Sequence, residues 1–289
     1  MTIVADVRLR DESFAFDERR RLPRIALTTS IAYAKGARHT LDVCRPKSAT
    51  AAPVIVFFYG GGWRSGSKRT YRYVAKALAR RGYVAVLPDY RIYPQARYPD
   101  FLDDGAQAVR WVKDNAKRFG GDPQKIFLMG HSAGAHIAAM LALDATWLQK
   151  VGLAPGRDIA GLIGVSGAYD FLPVRDPDLR IIFGGENRPV TQPISYAEGR
   201  KSPALLLTGA ADKVVSPGNT VRLAAKLRSS GNDVTERLYP RIGHFTIMAG
   251  FAPLAASFLP ELDDLDAFVK RVRPRVRSGA SVAAEAPAP

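Results

Sequence analysis

Apolar positions along the chain fall into short blocks whose internal period switches between two and roughly 3.6 residues, the signatures of strand and helix. Between Thr29 and Arg45, SIAYA and TLDVC alternate apolar with polar positions, which predicts two edge strands forming an antiparallel hairpin. PVIVFFY, from Pro53, is apolar throughout and rich in β-branched and aromatic residues, as a strand buried on both faces requires. The alternation then continues. A helix is predicted over 69–81, a strand in YVAVLPDY, a helix over 100–119 and a strand in KIFLMG. Next come a helix in AHIAAMLALD, a strand in AGLIGVSGAY, an irregular span over 170–201 and a strand in PALLLTG. A helix through Arg228, a strand in DVTERLYP and an amphipathic helix over 248–271 complete the series.

The helix over 100–119 carries Asp100, Asp103 and Asp104 in its first turn and Lys113, Lys117 and Arg118 in its last, matching the helix dipole. Leu102, Ala106, Val109 and Val112 share one of its faces. Strands alternating with helices require crossover connections, so the expected fold class is α/β, a mostly parallel central sheet with helices on both faces. Ligands of such sheets bind beyond the carboxyl ends of the strands. The expected organisation is an N-terminal arm over 1–28, one domain over 29–272 with a short cap insertion over 170–201, and a disordered Ala/Pro-rich tail over 273–289.

Composition changes this picture little. Of 289 residues, 47% are hydrophobic and 24% charged, as in an ordinary globular protein, and no apolar run reaches membrane-spanning length. The arm carries DERRRLPR where a signal peptide would keep its apolar stretch, so a cytoplasmic protein is expected. Cys44 is the only cysteine; it can form no intramolecular disulfide and reads as packing. The net charge of +15 raises nucleic acid as a partner. The arginines are spread along the chain without an aromatic-interleaved module, however, and a solvated basic surface is the expectation. No membrane, metal or organic cofactor is implied.

The chemistry is concentrated at strand ends. FLMGHSAGAH places Ser132 in a G-x-S-x-G frame between an apolar strand and a small-residue helix, the setting of a nucleophile elbow. Gly130 and Gly134 leave room for strand and helix to cross. A serine hydroxyl needs a general base, and the base a carboxylate. Of the four histidines, His39 reads as lying on an edge strand far from the strand ends, and His131 and His136 as makers of structural hydrogen bonds. His244, in LYPRIGH after the last strand, can reach the elbow. The acid is expected at Asp212 in PALLLTGAAD, with Asp170 as the alternative. Amides of Gly61 and Gly62 in FYGGGW, with that of Ala133, are the expected oxyanion donors.

These motifs resemble those of α/β-hydrolase carboxylesterases, in particular the hormone-sensitive-lipase-like and kynurenine-formamidase-like esterases. GGGW at Gly60–Trp63, DYRIYP at Asp89–Pro94, GHSAGAH at Gly130–His136, TGAAD at Thr208–Asp212 and GH at Gly243–His244 carry the resemblance, in the order nucleophile, acid, base. It implies a serine hydrolase with the triad Ser132, Asp212 and His244, acting on a small-molecule ester of short acyl chain through an acyl-enzyme. The alternatives are an arylformamidase or amidase using the same triad, and a non-catalytic binding protein on the same scaffold. Where the family usually has histidine before the glycines, this chain has Tyr59, whose hydroxyl can also donate a hydrogen bond. The short cap resembles that of esterases, and the arm is expected to contribute to a lid.

Overall fold

Eight strands form one sheet in the order β1-β2-β4-β3-β5-β6-β7-β8. A computed structural model describes residues 23–252 and 260–272. β1 (Ile25–Ala32) and β2 (Thr40–Pro46) make the expected hairpin, and β2 runs antiparallel to β4 (Val84–Pro88). Every other pairing is parallel, through β3 (Ala52–Phe58), β5 (Gly121–His131), β6 (Gly161–Val165), β7 (Ala204–Gly209) and β8 (Val234–Tyr239). β1 begins four residues ahead of the expected domain boundary at Thr29. The rest of the arm, over 1–22, and the tail over 273–289 lie outside the described residues, as does any lid they contribute.

From β3 the chain passes through α1 (Arg72–Arg80) to β4 on one side, then through α2 (Asp100–Asn115) to β5 on the other. Both crossovers being right-handed, α1 and α2 cover opposite faces. The connections leaving β3 and β5 therefore depart towards opposite faces, leaving a crevice at the carboxyl rim where an α/β sheet receives its ligand. α3 (Ala133–Leu143) follows β5 directly, and all eleven of its residues are buried. α2 packs on it; a Cβ at Gly105 would stand 3.0 Å from Leu141 and 3.2 Å from Ile137. The short α4 (Ala145–Gln149) and α5 (Pro155–Asp158) lead to β6, an arrangement the sequence pattern did not anticipate.

The span over 170–201 is not wholly irregular. It contains α6 (Pro177–Phe183) and 3₁₀ turns over Pro189–Thr191 and Pro193–Tyr196. α6 is bounded by local chemistry. The Asp176 carboxylate accepts the Leu179 amide at its N-cap, Pro177 opens the first turn, and Gly184 closes it at φ 70°. α7 (Gly218–Ser229) joins β7 to β8. The single amphipathic helix expected over 248–271 is instead a 3₁₀ turn over Thr246–Phe251 and a separate α8 (Glu261–Arg271), with 253–259 outside the described residues. α8 lies beside the end of α1, where Arg81 bridges Asp263 and Asp266 at 2.7 Å each.

The core lies between sheet and helices, with β3, β4, β6 and β7 almost entirely buried. Cys44 is part of it. Within the expected dipole series of α2, Asp104 has a different role. Its side chain is fully buried and accepts Arg91 and the Nε2 of His39 at 2.7 and 3.0 Å. Among the described residues no helix is long and apolar enough to cross a membrane.

Candidate active site

The turn from β5 into α3 holds Ser132 at φ 54°, ψ −122°, a left-handed conformation that costs a side-chain-bearing residue free energy and recurs at functional turns. Packing enforces it. A Cβ at Gly130 would collide with the Gly134 carbonyl, and one at Gly134 would collide with the carbonyl oxygens of Phe58 and Tyr59. The two glycines let α3 start directly against β3, so the Ser132 hydroxyl projects from a rigid corner rather than a loose loop.

His244 follows β8 and Asp212 follows β7, and the structure brings both to Ser132. His244 Nε2 lies 2.9 Å from Ser132 Oγ, and its Nδ1 lies 2.8 Å from Asp212 Oδ2. A carboxylate accepts only, so Nδ1 carries the proton and Nε2 presents its lone pair to the serine hydroxyl. The residues are 5% (His244), 6% (Asp212) and 9% (Ser132) exposed, enough burial to limit competing water. Asp212 Oδ1 accepts the amides of Val214 and Val215, both at 2.9 Å, which fixes the carboxylate plane. Asp170, the alternative acid, is held by Arg222 instead.

The glycine loop after β3 lies against this corner. A Cβ at Gly60 would sit 3.0 Å from the Ser132 Cβ and 2.8 Å from His131 Nδ1. Gly61 adopts φ 143° and Gly62 φ 60°, and Ser65 and Arg64 amides donate to the Gly61 carbonyl at 3.0 and 3.1 Å. Among the described residues the amides of Gly61, Gly62 and Ala133 engage no acceptor. Gly61, Gly62 and Ser132 line one cavity of about 930 Å³.

Tyr59 anchors that loop from below. Its hydroxyl donates to Asp89 Oδ1 at 3.0 Å and accepts from Arg38 at 2.7 Å, while its ring stacks on Tyr90 at 4.7 Å. Asp89 also accepts the Lys68 amide and ammonium, each at 2.7 Å, so both ends of the loop over 59–68 meet at one carboxylate. Burial and the neighbouring Asp89 push the Tyr59 pKa well above the ordinary tyrosine range, keeping its proton in place as a donor. The sequence singled out DYRIYP only as a motif; the pairing of its aspartate with Tyr59 and Lys68 emerges from the fold.

His39 is corrected by the structure. It precedes β2, whose Leu41 pairs with Pro88 at the exit of β4, so it stands at the carboxyl rim, yet it bonds to Asp104 and to no triad member. His136 donates Nε2–H to the Thr191 carbonyl at 2.8 Å, tying α3 to the cap. His131 makes a structural bond too, but its partner is the main chain of His244, at 3.0 Å. The cavity wall opposite the glycines comes from the cap and neighbouring loops, with Phe171, Leu172, Val174, Leu179, Val215 and Phe245 among its apolar members. Sequence reasoning named none of these, because they are brought together only by the crevice.

The sheet order, the elbow and the hydrogen-bonded serine, histidine and aspartate at its rim define an α/β-hydrolase fold. The BD-FAE family model matches residues 41–227, and the chain belongs to that family. Esterase LipC of Mycobacterium tuberculosis (strain ATCC 25618 / H37Rv) is 30% identical over 242 residues, covering 76% of this chain and 60% of LipC. A probable isoprenylcysteine alpha-carbonyl methylesterase, ICMEL1 of Oryza sativa subsp. japonica, is 37% identical over 152 residues, 51% of this chain. The match spans only 36% of the rice protein's length. Among solved structures, native esterase 2 of Thermogutta terrifontis superposes with a TM-score of 0.69 at 26% identity, covering 90% of this chain and 98% of that one. The resemblance to α/β-hydrolase esterases drawn from the motifs is thereby borne out.

Proposed function

We propose that the chain is a carboxylic ester hydrolase that cleaves short-chain esters through an acyl-enzyme, with Ser132 as nucleophile, His244 as general base and Asp212 as its orienting acid. The observation that carries this reading is the continuous relay from Asp212 through His244 to Ser132, at 2.8 and 2.9 Å, opening beside unengaged main-chain amides. Attack of Ser132 Oγ on the ester carbonyl transfers the hydroxyl proton to His244 Nε2, and Asp212 stabilises the resulting imidazolium. The carbonyl oxygen becomes an oxyanion that the amides of Gly61, Gly62 and Ala133 are disposed to receive. Collapse expels the alkoxide, which takes the proton from His244. A water activated by the same histidine then releases the acid and restores the serine.

The apolar wall and the roughly thirty-residue cap support short acyl or aryl groups, and the alignment with LipC, an esterase by name, supports ester over other carbonyl substrates. A small-molecule substrate in a cavity lined by the glycine loop and apolar side chains is also the reading preferred to nucleic acid. Cytoplasmic residence belongs to the same proposal, supported by a lone buried cysteine; cell fractionation tests it. The central experiment compares p-nitrophenyl acetate and butyrate hydrolysis by wild type and Ser132→Ala, beside N-formylkynurenine. Ester turnover lost in the variant is expected. A faster reaction with the formamide would make the chain an amidase with the same triad, and failure of a fluorophosphonate to label Ser132 would make it a binding protein.

A further inference from the structure

His131 ends β5 and Ser132 follows it, so side-chain alternation at the strand end sends the two in different directions. The His131 ring turns towards the loop that carries the base. Its centroid lies 4.8 Å from that of His244, with the planes 40° apart, and its Nε2 is 3.0 Å from the His244 carbonyl oxygen. A carbonyl only accepts, so Nε2 bears the proton and Nδ1 keeps a lone pair. Nδ1 is buried and has no partner among the described residues. Burial, then the nearby His244 charge, pushes the His131 pKa down to about 4, so the ring is a neutral donor at working pH. The titratable groups facing it are His244, Asp212 and Tyr71, whose ring is 6.4 Å away.

The base sits on a short loop between β8 and the 3₁₀ turn. Apart from the His244 ring itself, bonds from this loop run within it or to neighbouring turns, among them the Ala211 amide on the Ile242 carbonyl at 3.0 Å and the Gly243 amide on Thr246 Oγ1 at 2.8 Å. Neither bond touches the strand that bears the nucleophile. We infer that His131 is a positioning residue whose Nε2–H clamps the main chain of His244, so that the dipeptide His131–Ser132 holds both the nucleophile and the backbone of its base. A neutral ring also lies against His244 without opposing the imidazolium that forms there, as a second cation would. The inference rests on the serine-hydrolase reading.

The test measures kcat and KM for p-nitrophenyl acetate in wild type, His131→Phe and His131→Gln. Phenylalanine keeps a ring and removes the donor; glutamine returns an N–H near the position of Nε2. Expected are a kcat at least about tenfold lower with KM within about twofold in His131→Phe, and recovery to within about threefold of wild type in His131→Gln. Unchanged kcat in His131→Phe, or parallel losses in kcat and KM that glutamine does not rescue, overturns the clamp. Should the phenylalanine variant fail to fold, wild-type protein and His136→Gln decide. ¹⁵N-histidine NMR is expected to show two rings neutral, each with its proton on Nε2, from about pH 8 down to about pH 5, one of which, that of His136, is absent from His136→Gln while the other remains. Loss of every such ring in His136→Gln, or a remaining ring protonated on Nδ1, overturns it equally. A wild type that hydrolyses no ester yet keeps this ring counts against the hydrolase reading alone.

Discussion

Asp212 uses its two oxygens for two tasks: Oδ2 accepts from His244 Nδ1 at 2.8 Å, while Oδ1 accepts the amides of Val214 and Val215 at 2.9 Å. The acid is thus locked into its own turn before it orients the base. A strand-end aspartate could have been a helix cap; here α7 begins only at Gly218, and Asp212 closes a turn over Val214 and Val215 while its other oxygen meets His244.

That division predicts the behaviour of Asp212→Asn. An amide in this position keeps the turn largely intact but no longer demands the proton on Nδ1, so His244 presents the wrong tautomer to Ser132. Steady-state kinetics should show kcat lower by about 10⁴-fold with little change in KM, and circular dichroism should remain native. A variant with wild-type turnover would remove Asp212 from the triad.

Tyr59 links Arg38 to Asp89 beneath the glycine loop. Tyr59→Phe leaves both partners without that bond inside the fold and should cost about 1–3 kcal/mol, read as a drop of roughly 2–5 °C in Tm. Tyr59→His, although it restores the residue usual in the family, is too short to reach both partners and should lower turnover as well as Tm. A gain in turnover would mean that the native loop is poorly arranged for the oxyanion.

Gly134→Ala and Gly130→Ala each force a methyl group into main-chain atoms that cannot retreat, since those atoms belong to β3 and to the start of α3. Both variants should yield little or no folded protein. Soluble expression followed by thermal melting checks this, and a well-folded Gly134→Ala chain would contradict the packing of the elbow.

His136 is fully buried, and that burial pushes its pKa down to about 4 from an ordinary 6.5. The folded protein therefore keeps it neutral where the unfolded chain takes up a proton. Its contribution to stability is complete above pH 6.5 and is lost as pH falls through the range down to about 4. Urea unfolding at about pH 7 and pH 5 should show wild type losing roughly 2 kcal/mol more than His136→Gln, which keeps a donor for the Thr191 carbonyl. Equal losses would count against the assignment.

The strands and the three positions proposed for the triad were legible because each depends on a local signal: an apolar block for β3, β5 or β7, glycines two residues either side of Ser132, and a polar residue at a strand exit. What the sequence hid depends on contacts across the crevice. Asp104 reads as a dipole-matching acid in the first turn of α2, and only the fold turns it inward to Arg91 and His39. His131 is adjacent to the nucleophile in sequence, but its bond to the carbonyl of residue 244 has no local trace. α6 was missed because seven residues carry too few turns to display a period, although Asp176, Pro177 and Gly184 mark its ends.

The cap is one uninterrupted stretch leaving β6 and returning to β7, strands that are themselves hydrogen-bonded neighbours. Its two attachment points are consequently fixed by the sheet and not by what lies between them. Exchanging 170–201 for a segment of different length or shape would redraw the cavity wall, and the new segment would have to supply again the Thr191 carbonyl that accepts from His136 and the Phe183 ring packed on Trp63. The shape of that wall is therefore transplantable only together with the anchors that α3 and the glycine loop grip.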